Sequence, residues 1–228
     1  MQIDILTLFP EIFSSYLEQS LLGKALTKRL VTIARHDLRN WATNRHQRVD
    51  DRPYGGGPGM ILMVEPVVAA VEAIQTGGGQ PGELVLLTPQ GARLSQPIVE
   101  ELARQPRLVL LCGRYEGFDE RIIDILNPRQ ISVGDYVLNG GEVAAMVVID
   151  AVIRLVPGVL GHELSSHDDS FSSGNRGIEY PQYTRPREFR GHAVPEVLMN
   201  GNHQEVESWR REQSALRTKL NRKHVNHE

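Results

Sequence analysis

The chain has 228 residues, 40% hydrophobic and 23% charged, with a formal net charge of −3; that suffices for one medium domain with a core plus a small appendage, and it is too apolar for disorder. No run of about 18 apolar residues occurs, which excludes a membrane helix, and Met1-Gln2-Ile3-Asp4-Ile5-Leu6 shows no basic secretory n-region, so the cytoplasm is the expected compartment. The single cysteine, Cys112, excludes an intramolecular disulfide and a cysteine-rich zinc site, and at the end of an apolar run it reads as a small buried hydrophobe.

Ile3, Ile5, Leu6 and Leu8 predict a first strand, and Phe9-Pro10-Glu11 a helix start with proline in the first turn. One or two helices follow through Tyr16, Leu17, Leu21, Leu22 and Leu26, interrupted near Gly23, and Leu30 to Ala34 predict a second strand. From His36 to Gly59 no periodicity survives, and Arg52-Pro53-Tyr54-Gly55-Gly56-Gly57-Pro58-Gly59 fits neither helix nor central strand. Trp41, Arg45, His46, Arg48 and Asp50 within it suit a loop that covers a ligand or nucleic acid.

Val67, Val68, Val71 and Ile74 predict a helix over 64–74, closed by the glycines of 77–82. Leu84 to Leu87 form a strand that breaks at Thr88-Pro89-Gln90-Gly91, and Ser95 is the expected N-cap of a helix with Pro97 in its first turn. Leu108 to Cys112 and Gln130 to Val133 are further strands, with Ile122, Ile123 and Ile125 at helical spacing between them. Alternation of strands and helices to Leu155 implies an α/β fold with a parallel-rich sheet.

Glu163 to Gly177, rich in serine, glycine and aspartate, is a linker by composition. Beyond it, Asn202-His203-Gln204-Glu205 resembles a capping box, and Val206, Trp209, Leu216 and Leu220 mark one face of a final helix with Arg210 and Arg217 beside it, in a small helical tail. Residues 185–228 hold nine basic and six acidic side chains against sixteen and twenty-two before them, and Lys28, Arg29, Arg35, Arg39, Arg45 and Arg48 cluster against the single acid Asp37. Such patches, more than the total, govern phosphate contacts, although a merely solvated basic face accounts for either alone.

Three loops stand at strand ends: Thr88 to Gly91, Gly113 to Arg121 and Gly134 to Glu142. The glycines permit close backbone approach to a ligand, and strand ends in α/β sheets are where ligands bind. Other chemistries lack their motifs. His162 and His167 are five residues apart, not the four of a zinc-protease helix; there is no P-loop, no Gly-x-Ser-x-Gly elbow, and no Gly-x-Gly-x-x-Gly after the first strand.

Gly113-Arg114-Tyr115-Glu116-Gly117-Phe118-Asp119-Glu120-Arg121 and Ser132-Val133-Gly134-Asp135-Tyr136-Val137-Leu138-Asn139-Gly140-Gly141-Glu142 resemble the signature loops of the bacterial tRNA (guanosine-37-N1)-methyltransferases, the TrmD family of the SPOUT superfamily. The likeness continues through Val49 to Met60, Pro157 to His162, Asp169-Ser170-Phe171 and Tyr183 to Pro186, in order over nearly the whole chain. It implies a SPOUT-like catalytic domain over 1–160 whose C-terminal segment forms a trefoil knot, a linker over 161–177 and a small helical tRNA-binding domain over 178–228. It also implies a cytoplasmic homodimer with the site shared between subunits, acting on the tRNA anticodon stem-loop.

By the same resemblance S-adenosyl-L-methionine would touch Leu87, Thr88 and Pro89, then Gly113, Tyr115, Glu116 and Gly117, then Val133, Gly134, Asp135, Tyr136, Val137, Leu138, Gly140 and Gly141. Guanine N1 carries a proton and needs a general base, and a cation near O6 would stabilise the charge that develops. The resemblance puts these roles on Asp169 and Arg154, with Asp168 as rival base and Glu116 as a candidate for the Mg²⁺ on which the family depends. Read without it, Asp169 is a solvated linker acid and Arg154 a helix C-terminal cation. Ala144 stands where the family usually has proline, and the longer register beyond Gly174 keeps roles off Arg176 and Glu179. The alternatives are a SPOUT methyltransferase for another RNA nucleotide and a non-catalytic RNA-binding protein.

Overall fold

A computed structural model describes residues 1–77, 79–160, 169–172 and 176–221 of the chain. They form two compact units, Met1–Gly161 and His162–Glu228. No helix among the described residues is long and apolar enough to cross a membrane.

The first unit is built on five strands: β1 (Gln2–Thr7), β2 (Thr32–Asp37), β5 (Glu83–Arg93), β6 (Arg107–Cys112) and β7 (Arg129–Ser132). Their order is β2-β1-β6-β5-β7 and every pairing is parallel, so all five C-terminal ends lie along one edge. Alternation across the pleat sends Ile3, Ile5, Leu108, Leu110 and Cys112 into one core and Leu6, Leu86, Val109 and Leu111 into another. Helices α1 (Ser14–Leu17), α2 (Ser20–Thr27), α4 (Gln96–Ala103) and α6 (Gly141–Ile153) bury their apolar sides in the first. Helices α3 (Val64–Gly77) and α5 (Arg121–Leu126) do so in the second. Central β6, buried along its whole length, explains why its sequence is an unbroken apolar run.

Several boundaries differ from expectation. The helix break falls between Leu17 and Ser20, not at Gly23; Gly23 lies inside α2, where a Cβ would overlap the Glu18 carbonyl. Strand β2 starts two residues late and continues to Asp37, because an edge strand needs no apolar run to pair with β1. The segment after it is less irregular than its composition suggests, with a 3-10 turn over Leu38–Trp41 and a short hairpin of β3 (Asp50–Asp51) and β4 (Ile61–Leu62). Ser95 stands at the N-cap of α4 but makes no side-chain capping bond.

In the second unit the described residues hold a two-strand ribbon, β8 (Glu188–Phe189) and β9 (His192–Ala193), and the long helix α7 (His203–Asn221). Asn202 Oδ1 accepts from Gln204 N at 3.2 Å, while Glu205 accepts from Asn200 Nδ2 at 2.6 Å, so only one arm of the capping box forms. The inward face of α7 also departs from expectation. Ser214 is buried, with its hydroxyl donating to Ile178 O, whereas Leu216 and Leu220 are 50% and 60% exposed.

Candidate active site

The three loops, Thr88 to Gly91, Gly113 to Arg121 and Gly134 to Glu142, line a cavity of about 310 Å³, within the size range of small-molecule sites. The first is not a strand end. Leu87 and Ala92 both pair with Ile131, so β5 loops Thr88 to Gly91 out of the ladder and resumes. That turns Thr88, Pro89 and Gln90 towards the cavity while the strand continues beneath.

The second and third loops lock together. Gly141 N donates to Gly113 O at 2.8 Å, and Arg114 bridges Gly140 antiparallel. A Cβ on Gly141 would come 2.8 Å from both Cys112 Cα and Gly113 N, so only glycine lets α6 start against the end of β6. Tyr136 folds back, its hydroxyl donating to Val133 O at 3.1 Å, and both Tyr115 and Tyr136 present more than half their surface to solvent at the mouth.

Of the residues expected to touch a cofactor, Leu87, Thr88, Pro89, Gly113, Tyr115, Glu116, Gly117, Val133, Gly134, Tyr136, Val137, Leu138, Gly140 and Gly141 line this cavity. Asp135 does not; its carboxylate turns outward to Arg93. Ala144 is also part of the wall.

Comparison with known proteins covers the whole chain. The family described as tRNA (Guanine-1)-methyltransferase TrmD matches residues 1–228. The chain belongs to the TrmD family. A Rhodopirellula baltica protein named tRNA (guanine-N(1)-)-methyltransferase is 60% identical over 219 residues, 96% of this chain and 90% of the relative. Relatives of the same name from Geobacillus kaustophilus and Carboxydothermus hydrogenoformans are 54% and 50% identical, covering 97% and 98% of this chain and 90% and 86% of their own lengths.

In this TrmD chain Arg154 is the C-cap of α6, with its backbone N–H bonded to Val152 O. Asp169 belongs to the second unit, in a turn closed by Ser172 N donating to Asp169 O at 3.1 Å. Asp168 lies outside the described residues. Glu116 is anchored through its backbone, which donates to Met60 O at 3.0 Å, and its side chain lies across Gly59. Among the described residues no group of three or more His, Cys, Asp or Glu side chains is placed to hold a metal.

Sequence reasoning passed over two residues that shape the site. Arg114 lines the cavity and Glu142 supports it from below. Both sit inside the quoted loops, whose glycines, tyrosines and carboxylates point to a ligand but not to a buried ion pair. Cys112 is 2% exposed; burial, with Glu142 nearby, pushes its thiol well above the ordinary value, so it is a packing residue and no nucleophile.

Proposed function

We propose that the chain transfers a methyl group from S-adenosylmethionine to N1 of guanosine 37 in tRNA, beside the anticodon. The observation that carries the reading is the cavity built from backbone loops at one edge of a parallel sheet, in a chain of the TrmD family. The donor set fits the ligand. Backbone N–H and C=O groups of the Gly113 and Gly134 to Gly141 loops suit a purine and ribose, and Leu87, Val133 and Leu138 supply apolar walls. Bound there, S-adenosylmethionine supplies an electrophilic methyl group.

The rest is the work of side chains. Asp169 removes the N1 proton of guanine as general base, and Arg154 steadies the negative charge that grows on O6. Glu116, at the cavity wall, is the carboxylate offered for Mg²⁺, which binds through one or two carboxylates plus water or phosphate. Linker and C-terminal unit belong to RNA: Arg210 and Arg217 lie on exposed turns of α7, turned towards Tyr180 and Glu179, and with Arg45 to Arg52 they would meet tRNA phosphates in the cytoplasm.

The same reading includes a trefoil knot in the 1–160 domain and a homodimer. Close crossing of Gly140 and Gly141 over the end of β6 is what a threaded segment requires. Helix α6 is apolar almost all round, yet Val143 and Val147 are 49% and 43% exposed, and Phe9 and Ile12 are 42% and 43% exposed. A second copy would cover that face.

Mass spectrometry of tRNA from a strain depleted of the protein tests the reading. Loss of 1-methylguanosine at position 37 is expected; loss of a different methylated nucleoside, or of none, would assign the chain to another RNA site or to a binding role.

A further inference from the structure

Glu142 is a buried carboxylate for which the reaction as described has no use. It sits in the first turn of α6, 1% exposed, and accepts a hydrogen bond from Thr7 Oγ1 at 2.7 Å. Its other oxygen lies 2.9 Å from Arg114 Nε. Among the described residues neither of those two atoms makes a hydrogen bond, so charge and packing hold the pair.

Thr7 ends β1, Arg114 follows β6 and Glu142 closes the third loop in the first turn of α6, so three distant segments meet on one carboxylate. Thr7 Oγ1 also accepts from Phe9 N at 2.9 Å, and the Phe9 ring lies 4.5 Å from the Arg114 guanidinium carbon. On its far side Arg114 Nη1 donates to Asn139 O at 3.2 Å. The guanidinium is thus fixed by a buried acid, an aromatic face and a carbonyl of the third loop. Gly140 leaves room for this: a Cβ there would overlap Arg114 Nε and lie 2.6 Å from Glu142 Oε2.

Packing alone does not call for such a pair, since replacing both ions of a buried pair by neutral groups of similar volume is often neutral or stabilising. What the charge adds is direction. Arg114 lines the cavity and ties the second loop to the third. We propose that Glu142 is a positioning residue for methyl transfer: by holding Arg114 it sets the separation of the two loops around the cofactor, an inference that rests on the cofactor reading of the cavity.

Glu142→Gln keeps the shape and the acceptor for Thr7 but leaves Arg114 without its counter-charge. A misplacement of about 1 Å costs about 10²-fold in rate, so the single-turnover rate at saturating S-adenosylmethionine and tRNA should fall by about that factor. Binding of S-adenosylhomocysteine should weaken by less. Glu142→Gln/Arg114→Gln, which removes both charges, should recover the parent's thermal stability but not its rate. A parental rate at saturation in Glu142→Gln, or recovery of rate together with stability in the double variant, overturns the proposal. Should Glu142→Gln fail to fold, Thr7→Val removes the hydroxyl that donates to Glu142 and accepts from Phe9 N while keeping the side chain's volume: a slower saturated rate with parental thermal stability supports positioning, and a parental rate overturns it. If the parent itself fails to bind S-adenosylhomocysteine in calorimetry, the cofactor reading falls first, which separates the two failures.

Discussion

In the proposed reaction Asp169 would act at guanine as the base and Arg154 as the cation. A positioned general base contributes about 10²–10⁴ in rate, so Asp169→Ala should lose that much turnover while S-adenosylhomocysteine affinity hardly moves. Asp168→Ala, which removes an equal charge next door, should keep most activity. Arg154→Ala should slow turnover too, with Lys restoring only part, because an ammonium lacks the planar fork of guanidinium. Far from the cavity, Asp4 is a structural counterpart. It is 2% exposed, its Oδ2 accepts from Arg107 Nε at 2.8 Å, and its Oδ1 lies 2.8 Å from His36 Nε2. Burial pushes its carboxyl up, but the bonds from His36 and Arg107 more than offset that and hold it below the ordinary value. Its stabilising contribution is therefore complete above the unfolded carboxylate value of about 3.9 and is lost as pH falls through the lowered folded value. Asp4→Ala, which leaves Arg107 buried without its partner, should cost about 3–5 kcal/mol, read by urea unfolding at neutral pH, and the gap to the parent should narrow in acid.

Elements were legible in the sequence to the extent that burial dictated them. Strand β6 and helix α3 stand out because both bury continuous or periodic apolar residues, whereas the bounds of edge strand β2 do not, because it has no fully buried residue and only Ile33 packs against a core. The looped-out Thr88 to Gly91 looked like a strand end, since nothing local reveals that β5 resumes its pairing at Ala92. At the site, the glycine loops could be found from composition, but the meeting of Thr7 with Glu142, 135 residues apart, left no local trace. The same holds for α7, whose exposed Leu216 and Leu220 mimic a core stripe while Ser214 takes the inward position. For the C-terminal unit the prediction concerns RNA alone. Truncation after Gly177 should leave S-adenosylhomocysteine binding intact and abolish tRNA binding, and in the full chain affinity should drop steeply between low and physiological salt in a filter-binding assay. Normal tRNA methylation by the truncated chain would give the tail another purpose.

At the scale of the whole molecule the proposed function calls for a homodimer whose site is shared between subunits. If Asp169 of one chain serves the cavity of the other, Asp169→Ala and Gly140→Val chains, each inactive alone, should regain one working site per mixed dimer. Gly140→Val disables its own cavity by displacing the Arg114–Glu142 pair from the space the glycine leaves. A solution mass of one chain at full activity would remove the shared site. The reaction itself admits a more direct test: transfer of labelled methyl from S-adenosylmethionine to tRNA transcripts that differ only in carrying guanosine or adenosine at position 37, followed by nucleoside analysis. Label is expected in 1-methylguanosine from the guanosine transcript and none from the adenosine transcript; label in any other nucleoside, or equal label in both, would overturn methyl transfer to N1 of guanosine 37.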